Sequence, residues 1–344
     1  MRYTHIIIII LLSFSFFLYG CSNRELDPAI YGLLRTPEGM QLASIADPDK
    51  RLLTIKGIAD SITKDDQNII WVPIQAEKLS GESDKVVLIK GDKIIHTIKN
   101  SINRPIKIVE GPPQFNLNAI IYLHSGLDGK IVFIDKKTYK EEKTIDLKGY
   151  LTDAIFDSKY LYVTSDNPNE NQNSTIYKIN LSNFNITSVK IENSVRLTSL
   201  VEEGDFIYSA AAAMLEKTAS DGKTYLFKIR KDSLSIVSKF EVLRSPINIQ
   251  KHKNKLFILH MSYGDSPMWG GKVSVYHLDT EKLEEINIPY VADKMLFHDD
   301  KIIFSSSVSD GSRIPEVFIE MDTSNYSYKE VKGKRFFTNL VKIT

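Results

Sequence analysis

Leu161-Tyr162-Val163-Thr164-Ser165 is followed, after a polar loop, by Ile176-Tyr177-Lys178-Ile179 and the turn Asn180-Leu181-Ser182-Asn183-Phe184. Short runs this rich in β-branched and aromatic residues, bounded by Asn and Ser clusters, read as strands. The first run recurs as Ile69-Ile70-Trp71-Val72, Ile120-Ile121-Tyr122-Leu123, Phe206-Ile207-Tyr208, Leu256-Phe257-Ile258-Leu259 and Ile302-Ile303-Phe304. The second recurs as Ile131-Val132-Phe133-Ile134, Tyr225-Leu226-Phe227-Lys228-Ile229, Val273-Ser274-Val275-Tyr276 and Val317-Phe318-Ile319. Copies lie roughly 40 to 50 residues apart, the period of a four-stranded propeller blade.

The expected fold is therefore all-β, a single β-propeller of four-stranded antiparallel blades. Asp279-Thr280-Glu281-Lys282-Leu283 and Asp322-Thr323-Ser324-Asn325-Tyr326 read as matching turns, begun by Asp because its side chain can accept from nearby backbone amides. Each turn leads to an edge-like strand rich in Lys and Glu, such as residues 140–147 or 284–288; such charge discourages edge-to-edge pairing. Six blades are visible from about Leu53 to Lys332, and the chain ends read as parts of a seventh. Residues 29–33, 40–45 and 51–55 supply its second, third and fourth strands, and residues 337–343 its first. Seven blades, closed by the two termini sharing one sheet, are expected; six with extra terminal strands are the alternative.

The Leu161 to Ser165 token and the blade layout resemble the YVTN-type and quinoprotein-like propellers of bacterial surface proteins. No Gly-His paired with Trp-Asp marks WD40 blades, and Gly270-Gly271, the one double glycine, is unlike kelch. Ser220 to Tyr225 has the wrong spacing for a sialidase aspartate box. Trp71 and Trp269 are too few for the docking motif of quinone-dependent dehydrogenases.

At the start, Met1-Arg2 and the apolar run from Ile6 to Tyr19 have the layout of a signal peptide. The run is shorter than the ~20 residues a membrane span takes. Leu18-Tyr19-Gly20-Cys21 resembles the bacterial lipobox. That resemblance implies cleavage before Cys21, acylation of its sulfur and its new amine, and attachment to the membrane. Cys21 is the sole cysteine, so an internal disulfide is excluded. The expected organisation is a signal peptide at 1–20, a lipidated tether at 21–28 and a propeller at 29–344. Ser22, where enteric-type sorting would read an aspartate as a retention signal, implies the outer membrane. Lys and Arg number 44 against 43 Asp and Glu, so no basic field is expected to attract nucleic acid or an anionic surface.

In a propeller the loops from second to third strand and those between blades share one rim. Loops on a rigid scaffold are where binding residues concentrate. The Met261 to Gly271 loop offers Tyr263, Asp265, Met268 and Trp269; an aromatic beside a carboxylate suits a glycan or peptide by stacking and hydrogen bonding, although Met268 and Trp269 could instead plug the gap between blades. His124 and His260 each end the second strand of a blade, but no metal-ligand pairing accompanies them, and no metal or other cofactor is expected. Asp166 and Arg313 in other rim loops add candidate polar contacts. No nucleophile elbow, phosphate loop or calcium loop is present. The leading expectation is a non-catalytic binding or scaffold lipoprotein of the cell envelope, taking a protein or glycan partner. The alternatives are a hydrolase or lyase acting on an extracellular small molecule or polysaccharide, and, ranked last, a quinone- or metal-dependent redox protein.

Overall fold

The computed structural model describes residues 30–36, 39–47, 49, 51–77, 82–99, 104–123, 128–167, 173–192, 194, 197–211, 223–260, 271–289, 291–305, 317–332 and 339–342. Apart from one 3-10 turn at Pro113–Phe115, its regular elements are strands. They form seven four-stranded sheets. Blade 1 consists, from inside outward, of Asn339–Lys342, Ile30–Thr36, Gly39–Ser44 and Arg51–Ile55. The inner strands of blades 2 to 7 are Thr63–Lys64, Pro105–Glu110, Tyr150–Phe156, Leu197–Glu203, Pro246–His252 and Lys294–His298. Strands are lettered a to d outward within each blade. The a strands of successive blades touch one another from blade 2 round to blade 1, so they ring the axis.

Alternating side chains give each blade two apolar faces, and each face is buried against the next blade. The buried residues fall into seven clusters, one at each blade junction. Leu33, Met40 and Leu42 of blade 1 meet Ile70, Val72 and Val87 of blade 2. At the last junction Ile303 and Phe318 of blade 7 meet Ile30, Leu34 and Leu340 of blade 1. The ring is closed there by antiparallel pairing of the two chain ends, in the register Ile30↔Lys342, Tyr31↔Val341, Gly32↔Leu340 and Leu33↔Asn339. The expected seven blades and shared terminal blade are both present. Closure of this kind leaves only the short outer edges unpaired.

The c–d turns follow one plan. Their first residues are Asp135, Asn180, Arg230, His277 and Asp322, whose amides bond Lys140, Asn185, Ser235, Lys282 and Ser327 carbonyls at 2.9 Å. The fifth residue is left-handed in each, namely Tyr139, Phe184, Leu234, Glu281 and Tyr326, with φ of 53° to 59°. Glycine would suit that conformation better, but the larger side chain contacts the preceding blade. Tyr139 meets Trp71 edge-on with centroids 6.1 Å apart, Phe184 meets Phe133 at 5.1 Å, and Tyr326 meets Phe257 at 6.4 Å. This alignment corrects the sequence expectation that Asp279 and Asp322 match. His277, not Asp279, holds the position of Asp322, because the hydrogen-bonded frame starts two residues earlier in blade 6.

Candidate binding rim and channel mouth

The b–c and d–a connections leave from one rim. Several b–c connections there are long: Ile74 to Lys85, Ala211 to Thr224, His260 to Gly271 and Ser305 to Val317. On the opposite rim the a–b hairpins turn tightly, as from Glu203 to Phe206, His252 to Lys255 and His298 to Lys301.

Below the looped rim the inner wall is bulged in four successive blades. The irregularities fall between Pro105 and Lys107, Leu151 and Asp153, Thr198 and Val201, and Pro246 and Asn248. A bulge re-aims the side chains beside it. Cross-strand register puts Lys107, Asp153 and Asn248 at one level, opposite Ile121, Thr164 and Leu259, with Ser199 inside the bulge of blade 5. These polar groups are largely engaged in joining blades. Lys107 of blade 3 pairs with Asp153 of blade 4, whose side chain is only 7% exposed. The other carboxylate oxygen of Asp153 accepts from the Leu200 amide of blade 5 at 2.6 Å. Thr152 donates to the Leu197 carbonyl at 2.8 Å, and Thr198 makes the equivalent, longer bond to Pro246 at 3.4 Å. The buried Asn248 Oδ1 has no partner among the described residues. Among those residues, no group of three or more His, Cys, Asp or Glu is placed to hold a metal.

His260 sits at the rim end of blade 6 with 2% exposure. Its Nδ1–H donates to the Arg244 carbonyl at 3.1 Å, because a carbonyl can only accept. Its Nε2 then accepts from the Ser274 hydroxyl at 2.8 Å. Both ring nitrogens are thus engaged within the blade. Burial, the main cause, pushes its pKa down to about 4, against the opposing effect of the Arg244 and Leu243 backbone. Ser165 is the equivalent residue in blade 4, pairing with Leu151 as His260 pairs with Pro246, and it donates to the Lys148 carbonyl at 2.6 Å. In blade 3 that position is Tyr122, which pairs with Pro105. His124 therefore does not match His260. The repeat is offset by two residues, and His124 itself lies outside the described residues.

A pH prediction follows. The unfolded chain takes up the His260 proton near pH 6.5, the folded chain only near 4. Between these values the unfolded state binds more protons, so stability present above pH 6.5 declines as pH falls, by about 3 kcal/mol in total. Melting temperatures from pH 7 to 4 should fall more steeply for the wild type than for His260→Gln. Parallel curves would refute the assignment.

Asp166 is half-buried on strand b of blade 4, paired with Tyr150 and Ser174. Blade 5 stands between it and His260, so these two candidates are not brought together. Tyr263, Asp265, Trp269, Arg313 and Cys21 lie outside the described residues. Sequence reasoning missed Lys107, Asp153, Ser199 and Asn248. Their signal is a short token repeated in the inner strands of blades 3 to 6: Pro105-Ile106-Lys107, Leu151-Thr152-Asp153, Leu197-Thr198-Ser199 and Pro246-Ile247-Asn248.

No protein-family model matches the chain, and no curated protein matches it. Solved structures do. A putative 6-phosphogluconolactonase from Bacteroides fragilis is similar at a TM-score of 0.62 and 11% identity, over 91% of this chain and 96% of that one. BamB from Moraxella catarrhalis gives 0.57 at 10% identity over 92% of each chain. The dihydro-heme d1 dehydrogenase NirN gives 0.57 at 10% identity, over 93% of this chain and 76% of that one. Likeness at this identity establishes the propeller fold and no activity, since function resides in sites grafted on folds.

Proposed function

We propose that this closed seven-bladed ring is a lipid-anchored binding or scaffold module of the bacterial cell envelope, holding a protein or glycan partner on its looped rim. The observation that carries the reading is how the polar groups at the channel mouth are used. Asp153, Thr152 and His260 are bonded to backbone or side chains of the ring itself, which makes the mouth a rigid support rather than a set of poised acids and bases. The strands that bound the long connections end at that support, among them those flanking the sequence that carries Tyr263, Asp265 and Trp269. The lipobox resemblance at Leu18 to Cys21 supports the anchor and an outer-membrane location.

The test is affinity capture from envelope extracts with the full-length acylated protein, beside Tyr263→Ala and Trp269→Ala variants. The wild type should retain a protein or glycan that both variants lose at least tenfold, the ~1.4 kcal/mol expected for removing an aromatic anchor. Retention unchanged in both variants would overturn the rim assignment. Turnover of a bound glycan or small molecule by the wild type would replace the binding reading with the hydrolase or lyase one.

A further inference from the structure

Charge balances over the whole chain, but the outer wall of blades 1 and 2 is locally basic. Strand d of blade 1, Arg51–Ile55, is followed by Lys56, and strand d of blade 2, Lys93–Lys99, begins and ends in lysine. Neither strand contains a carboxylate, a feature shared with the d strand of blade 4, Ile186–Ile191, which carries the single cation Lys190; the d strands of blades 3, 5, 6 and 7 each carry at least one acid, for example Glu142, Glu241, Glu284 and Glu330. Arg51, Lys56, Lys93 and Lys99 are exposed and join no ion pair among the described residues. In blade 2 lysines stand opposite one another at both ends of the outer hairpin, Lys85↔Lys99 and Lys90↔Lys93. Like charges placed across strands are unfavourable; Glu77 offsets Lys85 through an ion pair, whereas Lys90 and Lys93 oppose each other with no ion-pair partner among the described residues.

Between the lysines, Ile94 and Ile95 are 48% and 42% exposed. Ile95 is the unpaired residue of a bulge, since His96 faces Leu88 and Ile94 faces Ile89. Leu52 is likewise the unpaired residue in blade 1, with Arg51 facing Ala43 and Leu53 facing Leu42. Bulges and edge lysines are the devices that block strand addition, so this wall is poorly suited to taking an extended peptide as a fifth strand. Exposed aliphatics among unpaired cations instead fit a surface that is anionic outside and apolar beneath.

The position of the chain end agrees. The described chain enters at Ile30 on strand b of blade 1, with residues 22–29 between it and Cys21. Nine extended residue steps, from 21 to 30, reach about 30 Å, whereas strand d lies only about 10 Å outward from strand b, two strand spacings away.

We propose that the outer wall of blades 1 and 2 lies on the membrane, with Arg51, Lys56, Lys93 and Lys99 on anionic lipid headgroups and Ile94 and Ile95 at the acyl boundary. This inference rests on the anchored reading above and adds an orientation: the ring stands on its side wall, with the looped rim facing along the membrane. The test uses full-length lipidated protein in vesicles of phosphatidylcholine with or without phosphatidylglycerol. An environment-sensitive fluorophore is attached to Ile95→Cys or, as a control on the blade 5 wall, to Val237→Cys. The probe at 95 should report an apolar setting only with phosphatidylglycerol, and salt should reverse it; the probe at 237 should stay in water. In the unlipidated protein, Lys93→Glu/Lys99→Glu should lower co-flotation with anionic vesicles at least about twenty-fivefold, from roughly fivefold per basic residue. Identical probe signals at 95 and 237, or unchanged flotation of a variant that melts like the wild type, would overturn the proposal. So would burial of the probe at 95 by an added envelope protein in the absence of anionic lipid. Mass spectrometry of the Cys21 peptide judges the anchor separately, because an unmodified Cys21 would defeat the anchored reading while leaving the flotation result to decide the wall.

Discussion

A chain terminated before Asn339 should fail to give a cooperative melting transition, although it loses only one short strand. The last strand is the inner strand of blade 1 and carries Leu340 into the cluster that joins blades 7 and 1. Truncating a buried leucine costs about 2–5 kcal/mol by itself. Loss of the strand also strips the pairing partner from Ile30 to Leu33, where Ile30 and Leu33 are fully buried. Backbone groups left unpaired there add about 1 kcal/mol or more each unless water reaches them. The sum is comparable to the whole net stability of a folded domain, about 5–15 kcal/mol. The truncated chain would also present an apolar edge strand, a template for aggregation. Leu340→Asp should fall between the two, folded but with an early melt. A truncated protein melting within about 3 °C of the wild type, equivalent to roughly 1 kcal/mol in a domain this large, would mean that the ring is held shut by something other than this strand.

The architecture was legible because strands b and c are buried on both faces and spell unbroken apolar runs, Ile120 to Tyr122 and Leu256 to Leu259 among them. The terminal blade could be read for the same reason, since Ile30 to Leu34 and Met40 to Ile45 belong to the core. The inner strands were harder. Facing the axis, they are only half-buried and mix Lys107, Asp153 and Asn248 with aliphatics, which hides their period. Two registers were misread by the same cause. Asp279 was matched to Asp322 by residue type and His124 to His260 likewise, although hydrogen-bond frames, not side-chain identity, define equivalent positions.

The inner wall also supplies the second large effect. Asp153→Ala should destabilise the protein by about 3 kcal/mol and Asp153→Asn by clearly less. The carboxylate connects three blades, with Lys107 on one side and the Leu200 amide on the other. Breaking a fully buried ion pair by removing one partner costs about 3–5 kcal/mol. Here Lys107 is 40% exposed and can regain water, which puts that part at the low end. The Leu200 amide has no such recourse, because Leu200 is 5% exposed and its donor would be left unsatisfied, at about 1–3 kcal/mol. Asparagine keeps an oxygen for that amide and gives up only the charge. Lys107→Ala should therefore cost less than Asp153→Ala, and a double-mutant cycle between them should show a coupling of roughly 1 kcal/mol or more. Because residue 153 joins blade 4 to both neighbours, its loss should also loosen the rim above it, seen as faster amide exchange at Leu200 before exchange rises in the outer strands. If Asp153→Ala melts within a degree or two of the wild type and exchange at Leu200 is unchanged, the carboxylate is not what fixes the mouth, and the rigidity assigned to the rim loses its support.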